Sequence, residues 1–516
     1  VVARAEAAFG VELPLRAIFD APTVAGLAER IAAIRGSGPG PRAHTVERVA
    51  REGALAPSFG QERFWFLRKL IPDLAAYHVP LAYALHGALD ADALDRALAE
   101  VVRRHEVLRT RLAEREGRPV QEILPAAAVP LVRIDLRHDP AALQGALEEE
   151  AARAFDFAAE PPVRLRLWRT GEEDHVLLVC VHHVATDGWS TGVLLRELAA
   201  LYAAFAEGRP SPLPDLPVQY ADYAAWQRAH ASGDRLRGQL AYWRERLDGL
   251  APLQLATDRP RPPVQGFRGG IVRLALEPDA SRRLHELAGR EGATLYMVLL
   301  AAWQALLAAH SGSDDVAVAT PVAGRSRPEL EGLIGFFVNT LVLRTGLGGD
   351  PTFRELLARA REAALGAFQH QDVPFERLVE ELQVERHPDR SPLAQVMFAL
   401  QNLPPAPHDL AGVALRPLPT RTAATQFDLS LAAAERAGAL DLVLEFNVEL
   451  FDAPTAERIL ERYARLLAQV AAEPGRRLSR IDWLSAEERA WVLAAGSPFA
   501  AEFAAEPSVP ERIAER

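Results

Sequence analysis

Two adjacent histidines, His182 and His183, close an apolar run and are followed at fixed distance by Asp187, Gly188, Trp189 and Ser190. Imidazole titrates close to neutrality, so this is the residue type that accepts or relays a proton in a reaction. The preceding run, His175 to Val181, is aliphatic and β-branched, which predicts a largely buried strand. After Ser190, residues Leu194, Leu198, Leu201 and Phe205 recur at helical spacing, and Ser190 is read as the N-cap. The histidines are therefore expected on a strand–loop–helix junction, where rigid elements hold a base against a substrate.

Neighbouring side chains on extended backbone point to opposite faces, so one histidine faces a cleft and the other is free to brace the loop. A lone histidine in apolar surroundings is most often a satisfied core residue; the following Asp-Gly shifts the balance towards function. Adjacent histidines do not converge on one ion, and no H-E-x-x-H or cysteine-rich partner accompanies them, so no metal is expected. Ser190 lacks a nucleophile-elbow context, which disfavours a hydrolase triad.

These residues need a large frame. A chain of 516 residues is too long for one ordinary core, so at least two lobes are expected. The hydrophobic fraction of 49% and charged fraction of 25% are those of a globular protein. No apolar stretch approaches the roughly 20 residues of a spanning helix. A net charge of −11 argues against a nucleic-acid partner, which calls for a basic stripe. The single cysteine, Cys180, excludes an internal disulfide framework, reads as strand packing and fits a reducing cytoplasm.

Both ends read as cut. Residues 1–35 carry a helix ending at Gly10 and a second helix from Thr23 through Val24, Leu27, Ile31 and Ile34, too little to stand alone. Gly36 to Pro41 is a linker by composition, within a connecting stretch at 36–53. From Ala54 to Trp483 the pattern is mixed α/β. It predicts an amphipathic helix over Asp90 to Arg111, a buried helix over Thr294 to His310 and a short strand over Val316 to Thr320. Proline-rich stretches at 211–217 and 258–266 suggest a division into lobes at 54–227 and 228–483. Residues 484–516 are polar and helix-prone and do not close a domain.

The chain resembles the condensation domain of non-ribosomal peptide synthetases across roughly residues 54–483. The H-H-x-x-x-D-G pattern appears as His182 to Gly188. It is preceded by Ser58-Phe-Gly-Gln61-Glu-Arg63-Phe-Trp65-Phe-Leu67 and Arg104-His105-Glu106-Val-Leu108-Arg109-Thr110. Then follow Tyr220-Ala-Asp222 to Arg228, Ile334-Gly335-Phe-Phe337-Val338-Asn339-Thr340, His370 to Glu376, and Ser391-Pro392-Leu393-Ala-Gln395-Val396. All seven stand in family order. The flanks are similar to the last helices of a peptidyl carrier domain (1–35) and the approach to an adenylation domain (484–516). Gln61-Glu-Arg63 and a preceding carrier tail resemble the subtype that takes an L-configured donor. Thr186, Phe64, Phe59 and Gly60 depart from commoner family residues without removing a catalytic group.

The resemblance implies an α/β (α+β) fold of two chloramphenicol-acetyltransferase-like lobes, a V-shaped pseudo-dimer around a central tunnel. It implies amide formation between an upstream carrier-bound acyl or peptidyl thioester and the α-amine of a downstream carrier-bound aminoacyl group. The cofactor implied is 4'-phosphopantetheine, borne by partner carrier domains. The partners are those carriers and the adjacent adenylation domain. Among site residues, His183 is carried over as the group serving the amine, with proton transfer and positioning both open. His182 is expected to brace the loop, Asp187 to anchor it through Arg325, and the Gly188 N–H to meet the developing oxyanion. Trp189 is expected to pack between lobes. Arg104 and Arg109, five apart on one predicted helix, occupy different faces, so one is expected to stabilise the cleft and the other to be solvated. Asn339, a polar residue in an apolar run, is expected to hydrogen-bond, across the cleft as a site residue or equally in a structural role. Gln395 is a support residue.

Two rivals stand beside this: a coenzyme A-dependent acyltransferase of the same superfamily, and a non-catalytic carrier-docking module that recruits another enzyme. The carrier and adenylation remnants argue against the first. Retention of His183 and Asp187 argues against the second.

Overall fold

The apolar runs assemble into two six-stranded sheets, each covered by helices. A computed structural model describes residues 2–495 apart from 12, 15, 22, 37–44, 72–74, 126, 128, 232, 386, 403–406, 408, 420–423 and 437. Most of the Gly36–Pro41 linker and residues 496–516 therefore lie outside the described residues.

The first half contributes β1 (His78–His86), β2 (Thr110–Arg115), β3 (Arg118–Ile123), β4 (Leu131–Asp135), β5 (Val163–Arg169) and β6 (Asp174–His182). The second contributes β7 (Gly269–Leu276), β8 (Asp315–Val322), β9 (Asn339–Gly346), β10 (Val396–Gln401), β11 (Asp409–Leu410), β12 (Val413–Pro417), β13 (Leu429–Arg436) and β14 (Ala439–Asn447). The first sheet runs β11-β12-β1-β6-β5-β4 and the second β7-β14-β13-β10-β8-β9, with β2 and β3 a separate hairpin. Strand β6 is central, pairing antiparallel with β1 and β5 along its length. Every residue from His175 to His182 is buried, as an aliphatic run covered on both faces should be.

The lobes interleave along the chain. Strands β11 and β12 leave the second half to pair on the edge of the first sheet, from Tyr83 opposite Pro417 to His86 opposite Ala414. Leu330, Leu333, Ile334 and Phe337 likewise belong to the first lobe's core. The division expected at 227/228 therefore describes the two sheets incompletely. The second lobe has its own core around the helices Leu295–Ser311, Phe353–Gln369 and Ala453–Ala472. Helix Leu295–Ser311 is apolar on nearly every face because nearly every face is buried. Thr294 caps it with its hydroxyl accepting from the Met297 N–H. Helices Val2–Phe9, Arg16–Asp20 and Val24–Gly36 enclose only a small apolar cluster, Val11, Leu13, Ala17 and Ile31.

The helix expected over Asp90 to Arg111 is shorter. It spans Ala91–Arg104, a 3-10 turn follows over Glu106–Arg109, and Thr110 already belongs to β2. No Gly or Pro marks the stop. His105 ends the helix with its ring buried, Nε2 donating to Glu197 at 2.9 Å and Nδ1 accepting from the Ile334 N–H at 3.2 Å. Among the described residues no single helix is long and apolar enough to cross a membrane; Pro278–Arg290 and Leu295–Ser311 reach that composition only as a pair bent by 103°.

Candidate active site

Strand β6 delivers His182 as its last residue, and the chain turns at once into a 3-10 turn, His183–Ala185. This turn sends the two rings apart. His182 is enclosed by aromatic rings, with Phe157 at 4.6 Å, Phe64 at 5.3 Å and His78 at 5.6 Å between centroids. Its Nδ1 accepts from the Val184 N–H at 3.0 Å, which pins the start of the loop. Burial, reinforced by the charges of His78 and His183, holds its pKa well below the ordinary imidazole value.

His183 instead lines a cavity of about 1830 Å³ between the lobes. Its Nδ1 lies 2.9 Å from the Thr186 carbonyl, and a carbonyl only accepts, so Nδ1 carries the proton. The lone pair is thereby left on Nε2, which is the form a proton acceptor needs. Burial lowers this pKa too, opposed by the Thr186 bond and by the negative charge of Asp187. The neutral base therefore persists below the pH at which an ordinary histidine becomes charged.

Asp187, not Ser190, caps the following helix, Gly188–Ala206, its Oδ1 accepting from the Ser190 N–H at 2.8 Å. Both residue types suit an N-cap, and the pairing of Asp187 decides between them. Asp187 Oδ1 lies 3.2 Å from Arg325 Nη2, and its Oδ2 accepts from the Phe337 N–H at 3.0 Å. Ser190, one turn on, accepts from Arg325 Nη2 at 2.8 Å and from the Gly335 N–H at 3.0 Å. Arg325 Nη1 donates to the carbonyls of Leu330 and Leu333. One buried network thus ties the loop after β8 and the crossover segment 330–337 to the base of the histidine loop. The anticipated Asp187–Arg325 contact is present, and both side chains are almost fully buried.

Gly188 lines the cavity at the first position of its helix, where an N–H has no intrahelical acceptor. Trp189 lines the same cavity, and its Nε1 donates to the Glu331 carbonyl at 2.8 Å, so the ring both packs against the crossover segment and faces the cleft. Gln395 also lines it with both ends of its amide engaged: Oε1 accepts from the Leu253 N–H at 2.8 Å and Nε2 donates to the Ser391 carbonyl at 3.1 Å.

Three expectations need correction. Arg104 and Arg109 do not share a helix, and neither lines the cavity. Arg104 is buried against Glu197 at 3.1 Å and the Pro214 carbonyl at 2.9 Å, while Arg109 donates to the Leu124 carbonyl. Asn339 does not bond across the cleft. Its Nδ2 donates to the carbonyls of Gln371 and Val373, and its Oδ1 accepts from the Phe375 N–H, so it fastens the start of helix Phe375–Glu381 to β9. The half-buried amide is satisfied within its own lobe.

Two further supports stand among the motif residues, with no role assigned to them from the sequence. Tyr220 donates to the Phe336 carbonyl at 2.7 Å and lies 2.8 Å from the Ser58 hydroxyl, at the seam between the opening motif and the crossover segment. Gly335 lets that segment approach: a Cβ there would sit 2.1 Å from the Tyr220 ring. A glycine inside an apolar run was the available signal. Cys180 packs within β6, with burial pushing its thiol up to about 12. Among the described residues no cluster of three or more His, Cys, Asp or Glu could hold a metal.

A family model for the condensation domain matches residues 51–493. The chain belongs to that family. Condensation domains of non-ribosomal peptide synthetases form the peptide bond between carrier-bound substrates. A linear gramicidin synthase of Brevibacillus parabrevis is 44% identical across 100% of this chain, which covers 10% of that relative. Chondramide synthase of Chondromyces crocatus is 43% identical over 88% of this chain and 12% of its own length. The chain thus spans about a tenth of these relatives. Among solved structures, the X-domain from teicoplanin biosynthesis superposes with a TM-score of 0.80 at 33% identity, covering 86% of this chain and 100% of that one. The first condensation domain of the calcium-dependent antibiotic synthetase, in complex with a substrate analogue, gives 0.69 at 25% identity over 84% of this chain and 100% of that one. The fold is the two-lobed chloramphenicol-acetyltransferase-like pseudo-dimer of such condensation domains.

Proposed function

We propose that this condensation domain joins a donor acyl or peptidyl thioester on an upstream carrier to the α-amine of an aminoacyl thioester on a downstream carrier, at His183. The observation that carries the proposal is the Nδ1–Thr186 bond, which leaves the lone pair on Nε2 of a residue lining the inter-lobe cavity.

The attacking amine, with a free pKa of about 8, must be neutral to react. Its nitrogen attacks the thioester carbonyl carbon, the C–N bond forms, the C–S bond breaks, and the donor arm leaves as thiolate. The nitrogen sheds a proton that ends on the departing sulfur. His183 Nε2 accepts a hydrogen bond from the amine and relays that proton, while holding two tethered reactants at one point supplies much of the rate. The Gly188 N–H stabilises the oxyanion at the carbonyl. His182, Asp187 and Arg325 hold the loop, with Trp189 and Gln395 shaping the walls and Arg104, Arg109 and Asn339 supporting them from outside the cavity.

The arms delivering both substrates are 4'-phosphopantetheine groups on the carriers, for which the cavity offers about 1830 Å³; exposed Phe66, Leu70 and Val264 are part of its lining. Residues 1–35 as the end of an upstream carrier domain, 484–516 as the approach to an adenylation domain, an L-configured donor and a cytoplasmic setting belong to the same proposal. The test offers the protein a donor and an acceptor on separate carriers, and in parallel as coenzyme A thioester and free amino acid. Dipeptidyl-carrier product from the first pair alone is expected. Equal product from the second would favour the coenzyme A acyltransferase, and no product from either would favour a recruitment module.

A further inference from the structure

Among the described residues the cavity is lined by many ion pairs and by one half-buried carboxyl that belongs to none. Arg63 pairs with Glu376, Arg228 with Glu62, Arg244 with Glu381, Arg377 with Glu380 and Arg390 with Asp389. Each of these arginines lines the cavity, and each already has its carboxylate. Glu445 is different. It stands on β14 opposite Ser430 of β13 and Ile271 of β7, on the sheet face that floors the cavity together with Met397, Ala399 and Ala432. Its carboxyl is half-buried and, among the described residues, makes no hydrogen bond or ion pair. Asp248, the other lining carboxylate without an ion pair, is exposed to water.

A carboxylate withdrawn from water is costly unless something pairs with it. Burial accordingly raises the Glu445 pKa, and the charge of exposed Arg273 on β7 only partly offsets this. Among the described residues the rest of this face, Ser430, Met397, Ala399 and Ala432, is small or apolar, and Arg273, two residues from Ile271 along β7, makes no ion pair with Glu445. A cationic or donor-rich group on a substrate would meet an acceptor already in place, and a substrate carboxylate would meet repulsion.

We propose that Glu445 is a specificity-determining residue of the cavity, selecting carrier-bound substrates whose side chain carries an ammonium, guanidinium or comparable donor over neutral isosteres, and rejecting acidic ones. The inference rests on the proposed condensation at His183 and adds the chemistry of one substrate subsite to it.

The test compares lysyl, norleucyl and glutamyl groups, first on the acceptor carrier with a fixed donor and then on the donor carrier with a fixed acceptor, for wild type and Glu445→Gln. Wild type is expected to favour lysyl over norleucyl by about tenfold and to disfavour glutamyl, on whichever carrier serves this subsite. Glu445→Gln is expected to bring the three rates together. Identical ratios in both proteins, on both carriers, would overturn the proposal. Calorimetric binding of the corresponding non-reactive aminoacyl-pantetheine amides separates the two readings. A tenfold lysyl preference lost in Glu445→Gln supports the subsite even if condensation fails, whereas equal affinities refute it even if condensation succeeds.

Discussion

Arg325 reaches Asp187 from the far side of the histidine loop, its Nη2 3.2 Å from Oδ1, with both side chains almost wholly removed from water. The same guanidinium satisfies the carbonyls of Leu330 and Leu333 and the hydroxyl of Ser190. A planar fork with several donors suits this arrangement in a way a single ammonium does not. Arg325→Ala leaves Asp187 charged and buried, so it is expected to cost about 3–5 kcal/mol in chemical denaturation. Arg325→Lys is expected to recover only part of that. A change within about 0.5 kcal/mol, the range of ordinary surface substitutions, would show that the network does not hold the loop.

The crossover segment should be equally sensitive to added volume. A Cβ at Gly335 meets the Tyr220 ring at 2.1 Å and the Phe337 ring at 2.7 Å, and Tyr220 is anchored by its hydroxyl. Gly335→Ala is therefore expected to destabilise by about 1–3 kcal/mol. It should also reduce condensation, because the segment it displaces supplies the Phe337 N–H to Asp187. Urea melts and product assays on the same preparation check both effects.

Acid should weaken the fold through the buried imidazoles. The His182 pKa is lower in the folded protein than its ordinary value of 6.5, so below that pH the unfolded chain binds more protons and stability falls with pH. His78 and His183 are shifted in the same direction and add to the effect. Melting temperatures between pH 7.5 and 5.5 are expected to drop for wild type. His182→Gln should start lower, having changed the group that accepts from the Val184 N–H, yet fall less steeply. Parallel slopes would contradict the assignment.

The junction itself was legible because local rules decide it. The aliphatic run gave β6 to within a residue at each end, and the Leu194, Leu198, Leu201 and Phe205 spacing gave the following helix. Asp187 with Arg325 followed from the family resemblance. Other features turned on partners far along the chain. Asp409–Pro417 crosses to the first sheet because β1 offers an edge there, which no local pattern reports. The apolar run around Asn339 told correctly that its amide must bond, but not to what; its partners at 371–375 lie beside β9 in the same lobe. The helix ending at Arg104 stops for a tertiary reason, the docking of His105 between Glu197 and Ile334, rather than at a Gly or Pro.

The central claim is that His183, with its proton held on Nδ1 by Thr186, presents Nε2 to the reacting amine. It is tested most directly by single-turnover formation of dipeptidyl carrier from preloaded donor and acceptor carriers, comparing wild type with His183→Ala of unchanged melting temperature. A loss of about 10²–10⁴-fold is predicted, the range of a positioned acid–base group. A rate equal to wild type would contradict the account.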